Sequence, residues 1–405
     1  MSGGSLMSPS SCAAQRRVSR IAWVVAAVQF TNALEYMAVS PLFAWVAPDL
    51  GVPLAWAGYA AGVYTLCAIV SGLLAYLWAD RHDPKRVLLL ALAALTLSTF
   101  ALSQVGQFAT LLAWRAVAGL MGGLAMGSAS GVLLMHADPG QRPALLARVI
   151  AAFSLVSIAG TPVVLWIAQQ AGWRWAFGAI ALACALCLAA VWGLLPASPA
   201  RPAVEPLGWR LQGLRAGGLA SAALNGLSQL PALLLIPLLA PLLLGLLPAG
   251  ASLSWPFLAG GVAGLASARL AGRWLLRGQP VRLWRAGLTL FTLNLALTAA
   301  GVMPGAGFMA CFMASTYATL VAASSVSAAW PQASQRASFS ALQSALMHLV
   351  SSLAFLASPQ ALYLPVPAAA GYGGALLASG LAALALVWLA PRLLRAAGPG
   401  DQSRR

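Results

Sequence analysis

One acidic residue of this chain lies where an ionisable side chain is costly. The sequence of 405 residues contains 7 Asp and Glu residues, and all but one fall in polar segments between apolar stretches or near the ends. Glu35 is the exception, because it lies deep in the apolar stretch 21–46. An ionisable group near a bilayer centre costs roughly 2.5–3.5 kcal/mol and marks a functional site by default. Glu35 is therefore the first candidate for chemistry.

Polar side chains accompany Glu35 on the same predicted helix. Gln29, Asn32 and Tyr36 share one face at helical spacing, and Glu35 borders that face three residues after Asn32. A polar stripe on a membrane helix avoids lipid, so we expect this stripe to face the interior of a helix bundle.

Arg115 is the expected partner of Glu35. At ~1.5 Å per residue, Arg115 lies about 10–12 Å from the start of its own apolar stretch, and Glu35 lies about 16 Å from the end of the stretch 21–46. The predicted chemistry is proton exchange at Glu35, since burial opposes a charged carboxylate and a nearby guanidinium favours it. Two alternatives stay open: a static ion pair, or an Arg115 side chain that extends to the membrane surface.

Fewer polar residues lie in the second half of the chain. A lone histidine among Ser, Met and Leu is most often a packing residue, and titration of His348 is the alternative. Together with the polar stripe and two methionines, these residues are candidates for lining an internal binding cavity. The candidates are Gln29, Asn32, Tyr36, Met37, Met126, Asn225, Gln229, Gln343 and His348.

The sequence offers no arrangement for metal or cofactor chemistry. Cys184 and Cys187 have the spacing of a metal or redox pair, but their Ala/Leu-rich surroundings favour a packing role. The apolar stretches contain no cluster of acids and no His-Glu-x-x-His pattern. We therefore expect no metal, no cofactor and no enzyme activity.

Membrane helices must position these residues. The chain is 61% hydrophobic and only 7% charged, whereas soluble domains carry roughly 25% charged residues. Apolar stretches of about 20 residues, enough to cross a bilayer as a helix, follow one another almost without interruption. The twelve predicted spans are roughly 21–46, 55–79, 87–105, 107–135, 146–170, 174–195, 216–247, 252–276, 283–303, 305–330, 337–361 and 370–391.

A polar, proline-containing segment divides these spans into two halves of six. The predicted organisation is a tail 1–20, a first half 21–195, a linker 196–215, a second half 216–391 and a tail 392–405. This layout is typical of transporters that bind substrate between the halves near the membrane midplane.

The basic residues indicate the orientation. Nearly all of the 23 Lys and Arg residues fall in the tails, the linker and alternate loops. The positive-inside rule therefore places these segments and both termini in the cytoplasm. The same distribution accounts for the net charge of +16 without nucleic-acid binding.

Small residues predict close helix packing in the fourth span. Gly119, Gly123, Gly127 and Gly131 recur at four-residue intervals, so they form one smooth face. Plain packing is the primary interpretation, and a surface along which helices slide is the alternative.

The loop between spans two and three resembles the major facilitator superfamily. That family's pattern is Gly-x-x-x-Asp-Arg-x-Gly-Arg-Lys/Arg, and this chain matches it at Asp80, Arg81 and Lys85, with Arg86 as an added basic residue. Both glycines of the pattern are replaced. The resemblance implies that these charged residues form a network that locks one conformation. The segment reads Tyr76-Leu-Trp-Ala-Asp80-Arg81-His-Asp83-Pro84-Lys85-Arg86.

Spans one, four and five extend the resemblance. The segment Leu112-Ala-Trp-Arg115-Ala-Val-Ala-Gly119 is similar to the family's Arg motif, which implies proton coupling for Arg115. Glu35 ahead of a proline is similar to the drug:proton antiporter and sugar-efflux-permease branch. Gly160 and Pro162 keep part of the antiporter motif, whose closing glycines are absent here. We expect both residues to serve helix packing.

The resemblance covers nearly the whole chain and implies an all-α major facilitator fold of twelve transmembrane helices in two six-helix halves. It implies proton-coupled efflux of a small organic molecule, such as a drug, a sugar or a secreted metabolite like a siderophore, across the bacterial inner membrane by alternating access. A proton-coupled uptake symporter and a non-transporting membrane sensor or scaffold stay open as alternatives. We expect a monomer in the lipid bilayer whose partners are substrate and protons, without nucleic acid.

Overall fold

Helices form almost all of the described chain. The structure, a computed structural model, describes residues 9–78, 83–136, 145, 152, 155–196, 216–248, 250–275, 278–327, 336–368 and 372–397. The twelve main helices within these ranges are α1 (Pro9–Leu50), α2 (Ala57–Trp78), α3 (Pro84–Leu102), α4 (Phe108–His136), α5 (Thr161–Ala171), α6 (Trp173–Leu194), α7 (Ala216–Leu235), α8 (Ser254–Leu275), α9 (Pro280–Ala299), α10 (Gly305–Ser327), α11 (Arg336–Ala361) and α12 (Gly373–Ala397). The helical organisation follows the predicted spans.

The outermost helices run further than the apolar stretches. α1 begins at Pro9, inside the predicted tail 1–20, and α12 ends at Ala397, beyond position 391. Helical backbone satisfies its own hydrogen bonds, so a helix can continue past the apolar core of a bilayer. The other predicted boundaries between halves, linker and tails stay predictions.

Two helices are interrupted, and both interruptions are near the centre of the molecule. A π turn (Val156–Gly160) precedes α5. A 3-10 turn (Ile236–Leu238), with a proline at its second position, separates α7 from its short continuation Leu239–Leu246. Proline lacks a backbone donor and fits such a break. Irregular backbone at membrane depth is tolerated where protein or a cavity surrounds it.

The outer surface of the bundle suits lipid. Among the described residues, eight helical segments are long and apolar enough to cross a membrane. Large apolar side chains such as Leu90, Trp192 and Trp388 are more than two-thirds exposed. Apolar surface on this scale is incompatible with a monomer in water, so the chain is a multi-pass membrane protein.

The helices pack as two bundles that meet along two seams. In the first half α4 packs on α2 and α3, and α6 packs on α1 and α3. In the second half α10 packs on α8 and α9, and α12 packs on α7 and α9. The seams between the halves are formed by α2 with α11 and by α5, with its π turn, against α8. The centre between these seams is where both halves can contribute to one site.

The glycine face of α4 is only partly a packing surface. Gly119 and Gly123 lie against α2, since a Cβ at either position would collide with the Tyr64 carbonyl oxygen or the Ser71 hydroxyl. A Cβ at Gly131 would make only ordinary van der Waals contact, 3.8 Å from the Pro84 side chain. Gly127 does not contribute to this packing, because it is exposed and a Cβ there would meet no atom of the described residues within 4 Å.

A third close approach on α4 was not predicted. A Cβ at Gly122 would collide with the Tyr64 hydroxyl group, although Gly122 lies outside the four-residue pattern. In the next span, Gly160 lies against α1, with its Cβ position 3.0 Å from Leu34. Pro162 is buried, and its carbonyl oxygen accepts a hydrogen bond from Ser254 of α8 at 3.1 Å.

Substitution of Gly119 tests the close packing of α4 on α2. We expect Gly119→Val to lower the free energy of unfolding by about 1–3 kcal/mol, because backbone atoms of Tyr64 must move. Gly127→Val is the matched control, with the same change in helix propensity and free space around the new side chain. Thermal unfolding of the purified variants in detergent measures both. Equal losses of stability in the two variants would contradict the packing described for Gly119.

Candidate functional site

Glu35 of α1 and Arg115 of α4 form a buried ion pair. Arg115 Nη1 lies 2.6 Å from Glu35 Oε1, and both side chains are fully inaccessible to solvent. The predicted proximity of the two residues is thus confirmed, and Arg115 does not extend to the membrane surface in this structure. A charged pair that is buried away from water depends for its stability on contacts within the protein.

Arg115 is held from three sides. Its Nε donates to the Ala60 carbonyl oxygen of α2 at 3.3 Å, and Nη1 also approaches the Glu35 carbonyl oxygen at 3.4 Å. The guanidinium carbon lies 4.4 Å from the centre of the Tyr64 ring, a cation–π contact. Tyr64 was not among the sequence candidates, and a tyrosine in an apolar span was the only signal available for it.

The pair is incompletely satisfied. Glu35 Oε2 and Arg115 Nη2 are buried and have no hydrogen-bond partner among the described residues. Buried polar atoms without partners are uncommon and costly in proteins. The Tyr64 side chain also interacts with the Glu35 carboxylate, so Tyr64 contacts both members of the pair.

The two amide side chains of the polar stripe on α1 bind α4 and do not line a cavity in this structure. Gln29 Nε2 donates to the Met126 carbonyl oxygen at 3.1 Å and to Ser130 Oγ at 3.3 Å. Asn32 Nδ2 donates to the Gly122 carbonyl oxygen at 3.0 Å. Gln29 and Asn32 are buried in the α1–α4 interface. Neither residue lines the cavity described below, although both were predicted to do so. A polar residue that faces the bundle interior can contact another helix or line a cavity, and its spacing does not distinguish the two.

The second half repeats this arrangement between α7 and α10. Gln229 Nε2 donates to the Thr316 carbonyl oxygen at 3.2 Å, as Gln29 does to a carbonyl of α4. Asn225 Oδ1 accepts from Ser324 Oγ at 3.3 Å. Thus the first helix of each half holds the fourth helix through amide side chains. Asn225 and Gln229 are helix contacts in this structure.

Gln343 makes a similar contact further along α10. Its Nε2 donates to Ser327 Oγ at 2.9 Å, which joins α11 to α10. Like the amides of α1 and α7, Gln343 lies between helices in this structure.

A cavity lies between the two halves. It contains about 590 Å³ of space not occupied by atoms, part of which is open to the surroundings. Tyr36 and Met37 contribute to its wall, as predicted, and Met126 does not. The π turn and the break after α7 supply further wall residues that only the folded arrangement brings together. The lining residues are Tyr36, Met37, Ser40, Pro41, Ala61, Ser157, Thr161, Ile236, Leu239, Phe257, Met313 and Phe355.

Tyr36 connects the ion pair, the cavity and the second half. Its ring stacks on Tyr64 with centroids 5.2 Å apart, and Tyr64 lies under the Arg115 guanidinium. His348 of α11 meets the edge of the Tyr36 ring at 6.3 Å. Three successive contacts, Arg115 with Tyr64, Tyr64 with Tyr36 and Tyr36 with His348, therefore join the ion pair to α11.

The predicted conformational-lock loop is described in part. Asp80 and Arg81 lie outside the described residues. Lys85 Nζ donates to the carbonyl oxygens of Leu195 at 2.6 Å and Trp192 at 3.3 Å, at the C-terminal end of α6. These carbonyls lack helical partners, and a cation is favourable there. In this structure Lys85 therefore joins α3 to α6 within the first half.

Arg86 makes a more local contact. Its Nε lies 3.7 Å from Asp83 Oδ2, one turn away on an exposed surface. Asp83 also caps α3, because its carboxylate accepts a hydrogen bond from the Lys85 backbone at 2.9 Å.

A known protein family matches most of the chain. Residues 25–359 match the family model of the Major Facilitator Superfamily. Over 170 residues the chain is 30% identical to the purine ribonucleoside efflux pump NepI of Shigella sonnei (strain Ss046) and to that of Escherichia coli (strain K12). This stretch covers 42% of the chain and 42% of each relative's own length.

Solved transporters share the fold at low sequence identity. A bacterial homologue of the human lysosomal transporter Spinster, inward-facing and occupied, superposes with a TM-score of 0.73 at 15% identity over 94% of this chain and 96% of that one. A D-xylose–proton symporter superposes with a TM-score of 0.73 at 16% identity, over 96% and 99% of the two chains. Both likenesses concern the fold alone.

Proposed function

Because this chain belongs to the major facilitator superfamily, and is therefore a membrane transporter rather than an enzyme, we propose that it exports a small organic molecule in exchange for protons. The cargo occupies the cavity between the halves, which rock to open it to one side of the bacterial inner membrane and then the other. Both termini lie in the cytoplasm, as the distribution of basic residues indicates.

The observation that carries the proton coupling is the position of the buried pair beside the cavity. Glu35 is followed directly in α1 by Tyr36 and Met37, which line the cavity. Glu35 itself is fully buried and keeps one carboxylate oxygen without a partner. The residue that exchanges the proton and the residues that contact the cargo thus belong to the same helical turn.

The chemistry of the exchange follows from the pair. When Glu35 is ionised, its attraction to Arg115 holds α1 against α4. Arg115 Nη1 lies 2.6 Å from Glu35 Oε1. A proton on Glu35 removes one of the two charges and weakens that attraction. Cargo that presses on Tyr36 acts on the same turn and on the ring of Tyr64 beneath Arg115. In this proposal cargo stabilises the ionised pair, so cargo binding and protonation oppose each other, as antiport requires.

One end of the cavity is closed by contacts between the halves. Ser352 Oγ of α11 donates to the Gly62 carbonyl oxygen of α2 at 3.2 Å, and Gln360 Nε2 donates to Tyr59 Oη at 3.3 Å. Gly58 lies so close to α11 that a Cβ would collide with the Phe355 carbonyl oxygen. These contacts lie at the end that the predicted orientation assigns to the periplasm. We propose that this conformation is closed to the periplasm and loads cargo from the cytoplasm.

Purine ribonucleosides are the first cargo to test. The relatives that share 30% identity over part of the chain are purine ribonucleoside efflux pumps. A nucleoside combines a flat ring with hydroxyl groups, and the cavity combines aromatic and methionine side chains with hydroxyls. Small-molecule sites are mostly apolar with a few placed polar groups.

Transport into inside-out membrane vesicles tests the proposal. With an acidic lumen, labelled inosine should accumulate in vesicles that contain the protein, and the lumen should become more alkaline as protons leave. A protonophore should abolish the accumulation. Accumulation only in right-side-out vesicles with an acidic exterior would instead establish an uptake symporter, and the absence of transport in both preparations would contradict the proposal.

A further inference from the structure

One hydroxyl in the cavity wall has no partner within the described part of the protein. Ser157 is 3% exposed, lines the cavity, and its Oγ makes no hydrogen bond to any described residue. Hydroxyls in these helices ordinarily donate to a carbonyl three or four residues earlier, as Thr65 and Ser315 do. A buried hydroxyl without a partner is costly unless a ligand or water supplies one.

Ser157 lies in an irregular turn that both halves of the protein surround. Ser157 is the second residue of Val156–Gly160, where the regular helical hydrogen-bond pattern is interrupted before α5. π turns inside helices are frequent at functional sites. Gly261 of α8 packs directly on the Ser157 backbone, since a Cβ at Gly261 would lie 2.7 Å from the Ser157 carbonyl oxygen. Both halves of the protein therefore fix the position of this hydroxyl.

The remaining cavity wall indicates what the partner of Ser157 can be. The lining residues include no Asp, Glu, Lys, Arg or His among those described. The nearest charges, Glu35 and Arg115, are paired with each other. An ion entering this cavity would lose hydration without gaining a counter-charge, which is strongly unfavourable. Phe257, Phe355 and Met313 instead offer apolar surface to a ring.

We propose that Ser157 is a specificity-determining residue that hydrogen-bonds an uncharged cargo with an apolar ring face and a hydrogen-bonding edge. The proposal rests on the proposed function insofar as the cavity is taken as the cargo site. It narrows the cargo by excluding molecules that are ionised at neutral pH. Ser157 selects among uncharged molecules through its hydroxyl, while the uncharged wall rejects ions.

Equilibrium binding to the purified full-length protein in detergent tests this inference without a proton gradient. The probes are inosine and inosine 5′-monophosphate, which share a base and sugar but differ in charge. We expect inosine to bind at least a hundredfold more tightly than the monophosphate. Ser157→Ala should weaken inosine binding about tenfold, the effect of one hydrogen bond between neutral groups.

Ser358→Ala is the matched control. Ser358 of α11 also has a fully buried hydroxyl without a partner among the described residues, but it does not line the cavity. Its substitution should leave inosine binding unchanged. Neither substitution should lower the unfolding temperature, because each removes a hydroxyl that makes no hydrogen bond.

Three results would overturn the inference. They are the absence of inosine binding, equal binding of the monophosphate, and full inosine affinity in Ser157→Ala. A failure of proton-coupled export in vesicles would leave this binding result standing, because the binding measurement involves no proton gradient. Conversely, export that works for an ionised cargo would refute the inference while supporting the proposed function.

Discussion

Replacement of Glu35 by glutamine is expected to abolish proton-driven accumulation of cargo while exchange of cargo across the membrane continues. Glutamine has nearly the same shape, and its carbonyl oxygen can still accept the hydrogen bond that Arg115 Nη1 donates to Oε1 at 2.6 Å. It cannot gain or lose a proton. Accumulation against a gradient should therefore fall at least a hundredfold, and counterflow of labelled against unlabelled inosine should stay within a few-fold of the unmodified protein.

The control for this substitution is Glu205→Gln. Glu205 is the other glutamate of the chain and lies in the predicted linker 196–215. The same chemical change there should leave both accumulation and counterflow intact. Full proton-driven accumulation by Glu35→Gln would exclude Glu35 as the proton carrier, and loss of counterflow as well would indicate a structural role for its negative charge.

Replacement of Arg115 by methionine is expected to cause the largest loss of stability of any single change considered. It leaves the Glu35 carboxylate buried without the cation that it contacts. Removal of one partner of a buried ion pair typically costs 3–5 kcal/mol. It also removes the contact with the Ala60 carbonyl oxygen and the cation–π contact with Tyr64. Thermal unfolding and yield from the membrane fraction measure this loss.

A double substitution separates the charge effect from the packing effect. Glu35→Gln combined with Arg115→Met should be more stable than Arg115→Met alone, because no isolated charge remains buried. Arg174→Met provides the comparison at a half-exposed pair, since Arg174 binds Asp49 in solvent, and it should have a much smaller effect. A double variant no more stable than Arg115→Met would show that the charge of Glu35 is not the cause.

The ion pair was predictable from the sequence because two simple constraints act on it. A charge in an apolar span must face the protein, and the distance along each helix from its end fixes its depth. Glu35 and Arg115 satisfied both constraints with no competing ionisable residue in the neighbouring spans. The remaining fold was predicted from the family resemblance, and the match of residues 25–359 to the family model shows that family.

The cavity was much less predictable because its wall depends on contacts between distant helices. Gln29 and Gln229 are as polar as any candidate, yet each donates its amide hydrogen bond to a carbonyl oxygen of the fourth helix in its own half. Periodicity gives the face of a helix but not which helix covers that face. The same limit explains Gly127, which continues the glycine pattern of α4 but has no described atom within 4 Å of its Cβ position.

Ser157 shows a different limit. A serine in an apolar span is ordinarily satisfied by its own helix, so its residue type alone gives no signal. Its hydroxyl lies in the π turn from Val156 to Gly160 and has no partner among the described residues, and no motif in the sequence indicates that turn. The proposal that Ser157 binds the cargo therefore depends on the structure alone.

The exchange of a proton at Glu35 for cargo is tested most directly by the release of protons when cargo binds. Inosine is added to the purified protein in unbuffered detergent solution that is acidic enough to protonate Glu35 in the cargo-free state, and a pH indicator follows the proton concentration. We expect a release that rises with the occupancy of the cavity in the unmodified protein and is absent in Glu35→Gln, although that variant still binds inosine. Equal release from both proteins, or inosine binding with no release from either, would contradict the assignment of Glu35 as the group that exchanges a proton for cargo.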